Sequence, residues 1–318
     1  MLNKKVVVLG GGTGLSYLLR GLKKFPLDIT AVITVSDDGR STGKLRKEFN
    51  TPAVGDIRKV ITSLSEIDEP IKQMMNYRFK TSSDLNNHAV GNLILTSMLD
   101  ITGSLKDSIS SLSKLLDVRH KVLPISEDSN LTLMAKDING NIIEGEEEIT
   151  KAKRQFEKIY YKEEPKVLKE VLDSLNEADM IIFSMGSLYT SILPNIICKE
   201  VKKVLEKTKC PIIYLCNAVT QPGETDNFTV GDHVELLNKY LFPRKIDTVI
   251  ASNSKIEKNI IEKYSTEEQK DLVEIDYDKL KQIGVELIED DLVIIEDNVL
   301  RHDSIRLSSI IFSYLLRR

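Results

Sequence analysis

The sequence predicts an α/β protein: a Rossmann-like three-layer α/β/α sandwich with a mostly parallel sheet and a small antiparallel hairpin excursion. Short runs rich in β-branched residues alternate with amphipathic helical patterns, which is typical of a doubly wound sheet. A glycine-rich turn joins the first run to the first helical pattern. A later segment alternates around Asn139 and Gly140, which is a strong hairpin signal.

Buried parallel strands are predicted where short apolar runs are bounded by turn residues. These runs are residues 6–9, 29–35, 180–183, 212–215 and 248–251.

The helical patterns lie between these strands. Leucines at positions 15, 18, 19 and 22 share one helical face, and an apolar stripe over residues 193–205 predicts another helix. Residues 55–117 are rich in helical pattern, and residues 304–318 predict an amphipathic helix that packs on the sheet. The antiparallel excursion is predicted over residues 121–163.

Length and composition limit the class of protein. No linker or repeat interrupts the 318 residues, so a single domain over residues 1–318 is predicted. The net charge of -4 gives no reason to expect nucleic acid as a partner. Three cysteines without a framework, and no run long enough for a membrane span, predict a cytoplasmic location.

The glycine turn predicts a phosphate contact, because it brings backbone N–H groups and a helix N-terminus to one point. It completes neither the dinucleotide fingerprint nor a P-loop. The alternative is a merely tight strand–helix turn, although such a turn needs only one or two glycines. The predicted binding residues here are Gly10, Gly11, Gly12, Thr13, Gly14 and Leu15.

The loop after the second strand, "TVSDDGRSTGKLR", strengthens the nucleotide hypothesis. In a Rossmann-type unit, an acidic residue roughly 20 positions after the glycines meets a ribose hydroxyl. Asp37 lies at about this separation in the sequence. The alternative for Asp37 is a simple cap of the following turn. A magnesium ion held by Asp37 and Asp38 against phosphates is left open. The loop also supplies a flexible, cationic set suited to an anion: Ser41, Thr42, Gly43 and Lys44.

Two later loops follow predicted strands and carry neutral donors and acceptors that suit sugars and bases. The alternative is that loops are polar by default. Asn195 follows Pro194 in a first helical turn, so its amide is predicted to contact the ligand rather than solvent. The predicted binding residues in these loops are Gly186, Ser187, Tyr189, Thr190, Ser191, Asn195, Asn217, Thr220 and Gln221.

No catalytic set is recognisable, because the four histidines are scattered and no nucleophile has an assignable partner. His88, in "NNHAVGNLIL", either faces a ligand or is a hydrogen-bonded residue at a helix start.

Six motifs in order resemble the gluconeogenesis factor family (YvcK-like), a branch of the 2-phospho-L-lactate transferase (CofD-like) superfamily. They are "GGGTGLS", "VSDDGRSTGKLR", "GDIRKV", "HAVGNLIL", "GSLYTSILPN" and "TQPGETDNFTVGDHV". The resemblance adds Asn92 of "HAVGNLIL" to the candidate residues. Arg40 departs from it, since a glycine is usual there and a non-glycine residue adopts positive φ poorly.

The resemblance implies a single CofD-like α/β domain, with a function that depends on the branch. One branch implies a non-catalytic regulator that binds a UDP-sugar, above all UDP-N-acetylglucosamine, and is needed for cell shape and wall synthesis on gluconeogenic carbon. Its implied partner is an unidentified protein of wall-precursor synthesis, and homo-oligomerisation is left open. The other branch implies a metal-dependent transferase of a phospholactate-type group. An NAD-binding oxidoreductase is a further alternative.

Overall fold

A seven-stranded parallel sheet forms the centre of the protein in a computed structural model, which describes residues 4–296 and 299–317. The strands, in chain order, are β1 (Lys4–Gly10), β2 (Leu27–Ile33), β3 (Lys121–Pro124), β4 (Leu133–Asp137), β5 (Ile142–Glu144), β6 (Phe156–Tyr161), β7 (Met180–Phe183), β8 (Ile212–Leu215), β9 (Thr248–Ser252), β10 (Glu286–Asp290), β11 (Val293–Glu296) and β12 (Val299–His302).

The central sheet has the order β10-β9-β8-β7-β1-β2-β3, and every pairing within it is parallel. Two small antiparallel sheets accompany it, β5-β4-β6 and the hairpin β11-β12. The predicted fold class is therefore confirmed. The chain winds away from β1 in both directions, so the crevice at the carboxyl ends of β1 and β7 is the topological switch point, where such sheets bind ligands.

Helices cover both faces of the sheet. They are α1 (Gly12–Leu22), α2 (Arg40–Phe49), α3 (Gly55–Leu64), α4 (Glu69–Asn76), α5 (Val90–Thr102), α6 (Leu105–Leu115), α7 (Glu146–Ala152), α8 (Lys169–Asn176), α9 (Leu193–Ile196), α10 (Lys199–Lys207), α11 (Val230–Leu241), α12 (Lys258–Glu267), α13 (Tyr277–Ile283) and α14 (Ser304–Leu316). Among the residues that the structure describes, no helix is long and apolar enough to cross a bilayer.

The predicted strands and the hairpin turn are found, with corrections at the edges of the sheet. β4 and β5 pair antiparallel around the predicted turn, with Lys136 opposite Ile142. The start of the predicted excursion is wrong, because residues 121–124 form β3 and pair parallel with β2. Two further features were not predicted: the edge strand β10 and the hairpin β11-β12.

The helix predicted over residues 193–205 is divided. A π-helical turn (Leu188–Ile192) leads into α9, and the chain leaves the helical conformation before α10. Cys198, whose backbone is extended, separates the two helices. The apolar stripe is real, but it comes from two helices that pack on the same core.

The C-terminal helix α14 packs against α1 and reaches the sheet, as predicted. The two helices approach so closely that a Cβ on Gly21 would lie 2.1 Å from the Ser304 carbonyl oxygen. The Tyr314 hydroxyl lies 2.8 Å from the Thr248 hydroxyl on β9.

Candidate functional site

The glycine turn lies at the switch point, between β1 and α1. Gly12 has φ +65°, a left-handed conformation that favours glycine. Gly10 and Gly14 are required for packing instead, because a Cβ at these positions would lie 2.0 Å from the Ser184 hydroxyl and 2.3 Å from the Met185 carbonyl oxygen. The predicted site residues of the turn therefore have different tasks. Leu15 is fully buried in the core, whereas Thr13 is exposed.

A carboxylate from α3 occupies the turn. Asp56, in the first turn of that helix, accepts a hydrogen bond of 2.5 Å from the Gly12 N–H. Its other oxygen accepts a bond of 2.8 Å from the Lys59 ammonium. The Gly12 N–H, which the sequence assigns to a phosphate, is thus hydrogen-bonded to the Asp56 carboxylate instead.

The loop after β2 carries its two aspartates toward α7. Asp37 accepts from the Gly39 N–H at 2.9 Å, and Asp38 accepts from the Glu147 N–H at 2.8 Å. Burial, together with the neighbouring Asp37 carboxylate, raises the pKa of Glu146 to about 9. Burial and the Asp56 charge also raise the pKa of Asp37. Burial is the first cause of both shifts, and neighbouring carboxylates add to it.

The predicted anion-binding residues of α2 lie in different surroundings. Arg40 does adopt the positive φ of 45° that the resemblance reserves for glycine. Lys44 is exposed on the outer side of the helix, whereas Thr42 is buried and hydrogen-bonds to Asp37. Gly43 allows close packing, because its Cβ would lie 1.9 Å from the Asp38 carbonyl oxygen.

His88 and Asn92 join a buried polar network with α2 and α3. The Ser41 hydroxyl lies 3.0 Å from His88 Nδ1. Asn92 Nδ2 donates to the same hydroxyl oxygen at 3.4 Å. Arg58 Nε donates to Asn92 Oδ1 at 3.2 Å, and burial lowers the pKa of this arginine to about 10. All these residues are buried, so this network positions α2 and α5 rather than facing solvent.

The loop after β7 closes the other side of the crevice. Asn217 fixes Gly186 through two bonds of 2.8 Å, one from the Gly186 N–H and one to its carbonyl oxygen. Ser191 is half-buried, and its hydroxyl lies 4.0 Å from the place that a Cβ on Gly12 would take. Ser191 therefore lies between the two glycine loops.

A second internal carboxylate occupies the start of this helical segment. The Ser187 hydroxyl donates to the Glu224 carboxyl group and lies 2.8 and 2.9 Å from its two oxygens, and Glu224 Oε1 also accepts from the Tyr189 N–H at 3.1 Å. Thr190 donates its hydroxyl to Ser187 at 2.8 Å. Burial raises the pKa of Glu224 to about 7.

The remaining predicted residues are structural in this conformation. Asn195 is fully buried, and its Nδ2 donates to the carbonyl oxygens of Gly10 and Ser191 at 3.3 and 2.9 Å. Tyr189 is buried, and its hydroxyl accepts from the Phe156 N–H. The Thr220 hydroxyl accepts from the Asp271 N–H, while half-buried Gln221 begins the turn that presents Glu224.

A cationic groove leads away from the turn along the outer face of α1. The cavity has a volume of about 630 Å³ and begins at Thr13. Among the residues that the structure describes, eight arginines and lysines line it, against three glutamates. The guanidinium carbons of Arg20 and Arg301 lie 5.6 and 5.5 Å from the centre of the Tyr17 ring. The cationic residues are Arg20, Lys23, Lys24, Arg58, Lys59, Lys72, Arg78 and Arg301.

Comparison with known proteins identifies the family. The model of the family "2-phospho-L-lactate transferase CofD" matches residues 6–293. The chain belongs to the CofD family. It is 40% identical over 312 residues to the gluconeogenesis factor of Bacillus subtilis, covering 98% of both chains. The gluconeogenesis factor of Halalkalibacterium halodurans is also 40% identical, with 98% of this chain and 96% of that protein covered. A crystal structure of a Bacillus halodurans protein matches with a TM-score of 0.94 at 40% identity, covering 98% and 99% of the two chains.

The metal that the transferase branch of the CofD family implies can be tested against these side chains. Asp38 accepts a hydrogen bond from the Glu147 N–H of α7, and Asp37 lies beside Glu146. Within residues 4–296 and 299–317, no group of three or more histidine, cysteine, aspartate or glutamate side chains is arranged to hold a metal ion. A magnesium ion held by Asp37 and Asp38 against phosphates therefore stays a prediction.

Sequence reasoning missed the charged residues that dominate this CofD-family site. Asp56 and Lys59 lie within the quoted motif "GDIRKV", where their i,i+3 spacing is a signal for an ion pair. Glu146 gives no such signal, because only the folded chain brings it to Asp37. The groove is equally hidden, since its cations come from α1, α3, α4, β12 and the segments that follow α1 and α4.

Glu224→Gln is expected to remove a pH-dependent loss of stability. The pKa of Glu224 is raised from 4.5 to about 7, so its contribution to folding is present below the unfolded pKa and is lost as pH rises toward 7. From about pH 5 to about pH 8, we expect the free energy of unfolding of the variant to rise by about 2 kcal/mol relative to that of the parent. Urea unfolding of both proteins at the two pH values measures it. If the two proteins differed in free energy of unfolding by the same amount at both pH values, the burial of an ionisable Glu224 would be contradicted.

Proposed function

We propose that this protein binds a UDP-sugar, above all UDP-N-acetylglucosamine, and acts as a regulator of cell shape and wall synthesis during gluconeogenic growth. Its similarity to proteins named gluconeogenesis factor over nearly the whole chain supports this proposal. A cytoplasmic location, a protein partner in wall-precursor synthesis and self-association belong to the same proposal.

The observation that carries the proposal is the junction of the cationic groove with the glycine turn. The groove begins at Thr13, one residue after the left-handed Gly12, and Lys59 lines it. A diphosphate at this junction would meet both the positive helix N-terminus and lysine or arginine side chains, the two usual partners of phosphate.

The crevice beside the turn suits the uncharged part of such a ligand. Ser187, Ser191, Asn217 and Gln221 are half-buried there, and of these Ser187 and Asn217 also bond to Glu224 and Gly186. Neutral hydroxyls and amides recognise sugar hydroxyls and base edges without adding charge. The adjoining cationic groove has a volume of about 630 Å³, which lies in the range typical of small-molecule sites.

A group transferase is the second candidate, and one observation favours it. Glu146 and Asp37 form a half-buried carboxyl pair in which the pKa of both groups is raised, and such pairs serve as general acids and bases. The CofD family model over residues 6–293 agrees with a transferase ancestry. The curated relatives that match nearly the whole chain are named gluconeogenesis factor, so we rank the regulator first.

A thermal-shift panel distinguishes these functions. We expect UDP-N-acetylglucosamine and UDP-glucose to raise the melting temperature, since a ligand at about 100 times its Kd adds about 2.7 kcal/mol of stability. GDP, UTP and NAD are the comparison ligands, and each is measured with and without magnesium. A larger shift with GDP plus magnesium would favour the transferase, and a preference for NAD over every UDP-sugar would contradict the proposal.

A further inference from the structure

Two partners hold the Asp56 carboxylate at the glycine turn. Oδ2 accepts from the Gly12 N–H at 2.5 Å, and Oδ1 accepts from Lys59 Nζ at 2.8 Å. The side chain of Asp56 is largely buried, at 15% exposure, whereas Lys59 is 34% exposed and lines the cationic groove. The carboxylate thus lies where the turn and the groove meet.

These two partners are also those that a phosphate would require. A backbone N–H at a helix N-terminus and a lysine ammonium both prefer an oxyanion. The absence of a side chain at Gly11 leaves room for it, because a Cβ there would lie only 3.1 Å from Asp56 Oδ2. The carboxylate therefore imitates a phosphate oxygen in both position and bonding.

We propose that Asp56 sets the specificity of the turn: its carboxylate occupies the turn in the unliganded protein, and only a diphosphate ligand that takes over both Gly12 N–H and Lys59 displaces it. This inference rests on the proposed function, since the diphosphate is that of the nucleotide sugar. Neutral hydroxyls cannot replace the carboxylate, because they would leave the Lys59 ammonium without its anion.

The position of Lys59 allows such a displacement. Lys59 remains on the groove side to receive the phosphate, so the ion pair is exchanged rather than lost.

Asp56→Asn tests the proposal directly, because the amide keeps the shape of the side chain and removes its charge. We expect the affinity for UDP, UDP-N-acetylglucosamine and inorganic pyrophosphate to rise about tenfold in calorimetric titrations, with the affinity for uridine unchanged. A merely structural role would change all four affinities alike. Lys59→Gln should weaken the three phosphate ligands and leave uridine unchanged.

Asp232→Asn is the matched control. Asp232 is also a first-turn carboxylate paired with a lysine, Lys279, at 2.6 Å, but it lies on α11. Its replacement should leave the affinity for every phosphate ligand as in the parent. Equal tightening in this control would overturn the proposal, because net charge alone would then explain the effect.

The wild-type protein supplies a second readout that does not depend on any variant folding. With ¹⁵N-glycine labelling, the Gly12 amide resonance should move when pyrophosphate saturates the protein, because its acceptor changes. An unmoved Gly12 resonance at saturation would overturn the proposal.

The outcomes separate this inference from the function on which it rests. If the parent binds UDP-sugars and Asp56→Asn binds them equally or more weakly, the specificity role is overturned and the function stands. If neither protein binds a nucleotide but Asp56→Asn gains pyrophosphate binding, the function falls and the specificity role stands. If neither protein binds any phosphate ligand, both are overturned.

Discussion

Replacing Gly12 by valine is expected to abolish UDP-sugar binding while the protein stays folded. Gly12 has φ +65°, and the nearest atom to a Cβ placed on it is Asp56 Oδ2 at 3.7 Å. The fold therefore bears only backbone strain of about 1–2 kcal/mol, well below the usual stability of a domain. The substitution affects ligand binding more strongly than folding, because the isopropyl group would cover the Gly12 N–H that a phosphate must reach.

We expect the affinity for UDP-N-acetylglucosamine to fall about 100-fold or more in a calorimetric titration of this variant. Gly103→Val is the matched control, because Gly103 has φ +69° and nothing lies within 4 Å of its Cβ position. It ends α5, so it should bear the same strain and bind the ligand as the parent does. Normal binding by Gly12→Val would place the phosphate elsewhere than at the turn.

The fold was largely predictable, because its central strands are continuous apolar runs. β1, β7 and β8 are buried throughout or nearly so, and such runs have few alternatives in a parallel sheet. The edge strands were harder to recognise. β10 exposes residues on both faces, so its sequence, "ELIED", carries too little apolar signal.

The sequence could indicate that the candidate residues lie near one another, but it could not indicate their partners. Glycines and polar loops follow strand ends, and parallel strands bring these ends together at one edge. What fills the site depends on long-range contacts, as when Asp56 reaches Gly12 across 44 residues and Glu224 reaches Ser187 across 37. Neither pairing has a local signal, and both carboxylates engage donors that the sequence assigned to a ligand.

Asn195 is the clearest case in which the structure changes an expectation. From the sequence, its amide contacts the ligand, so Asn195→Ala should weaken UDP-sugar binding by roughly 1–3 kcal/mol and leave melting without ligand unchanged. The side chain is instead fully buried beneath the turn and bonded to the Gly10 and Ser191 carbonyl oxygens. In this position the side chain stabilises the glycine turn from the interior of the protein.

We therefore expect Asn195→Ala to lower the free energy of unfolding by about 3 kcal/mol, from two lost hydrogen bonds and the cavity left in a packed interior. Urea unfolding without ligand measures this loss. Its Oδ1 has no partner among the described residues, so all of the expected effect of the amide comes from Nδ2. Asn195→Asp, which keeps the volume but replaces the donor by a carboxylate, should destabilise at least as much at neutral pH. Unchanged unfolding in Asn195→Ala together with weakened UDP-sugar binding would instead return Asn195 to the ligand, and the turn would then have to open toward α9 when the ligand binds.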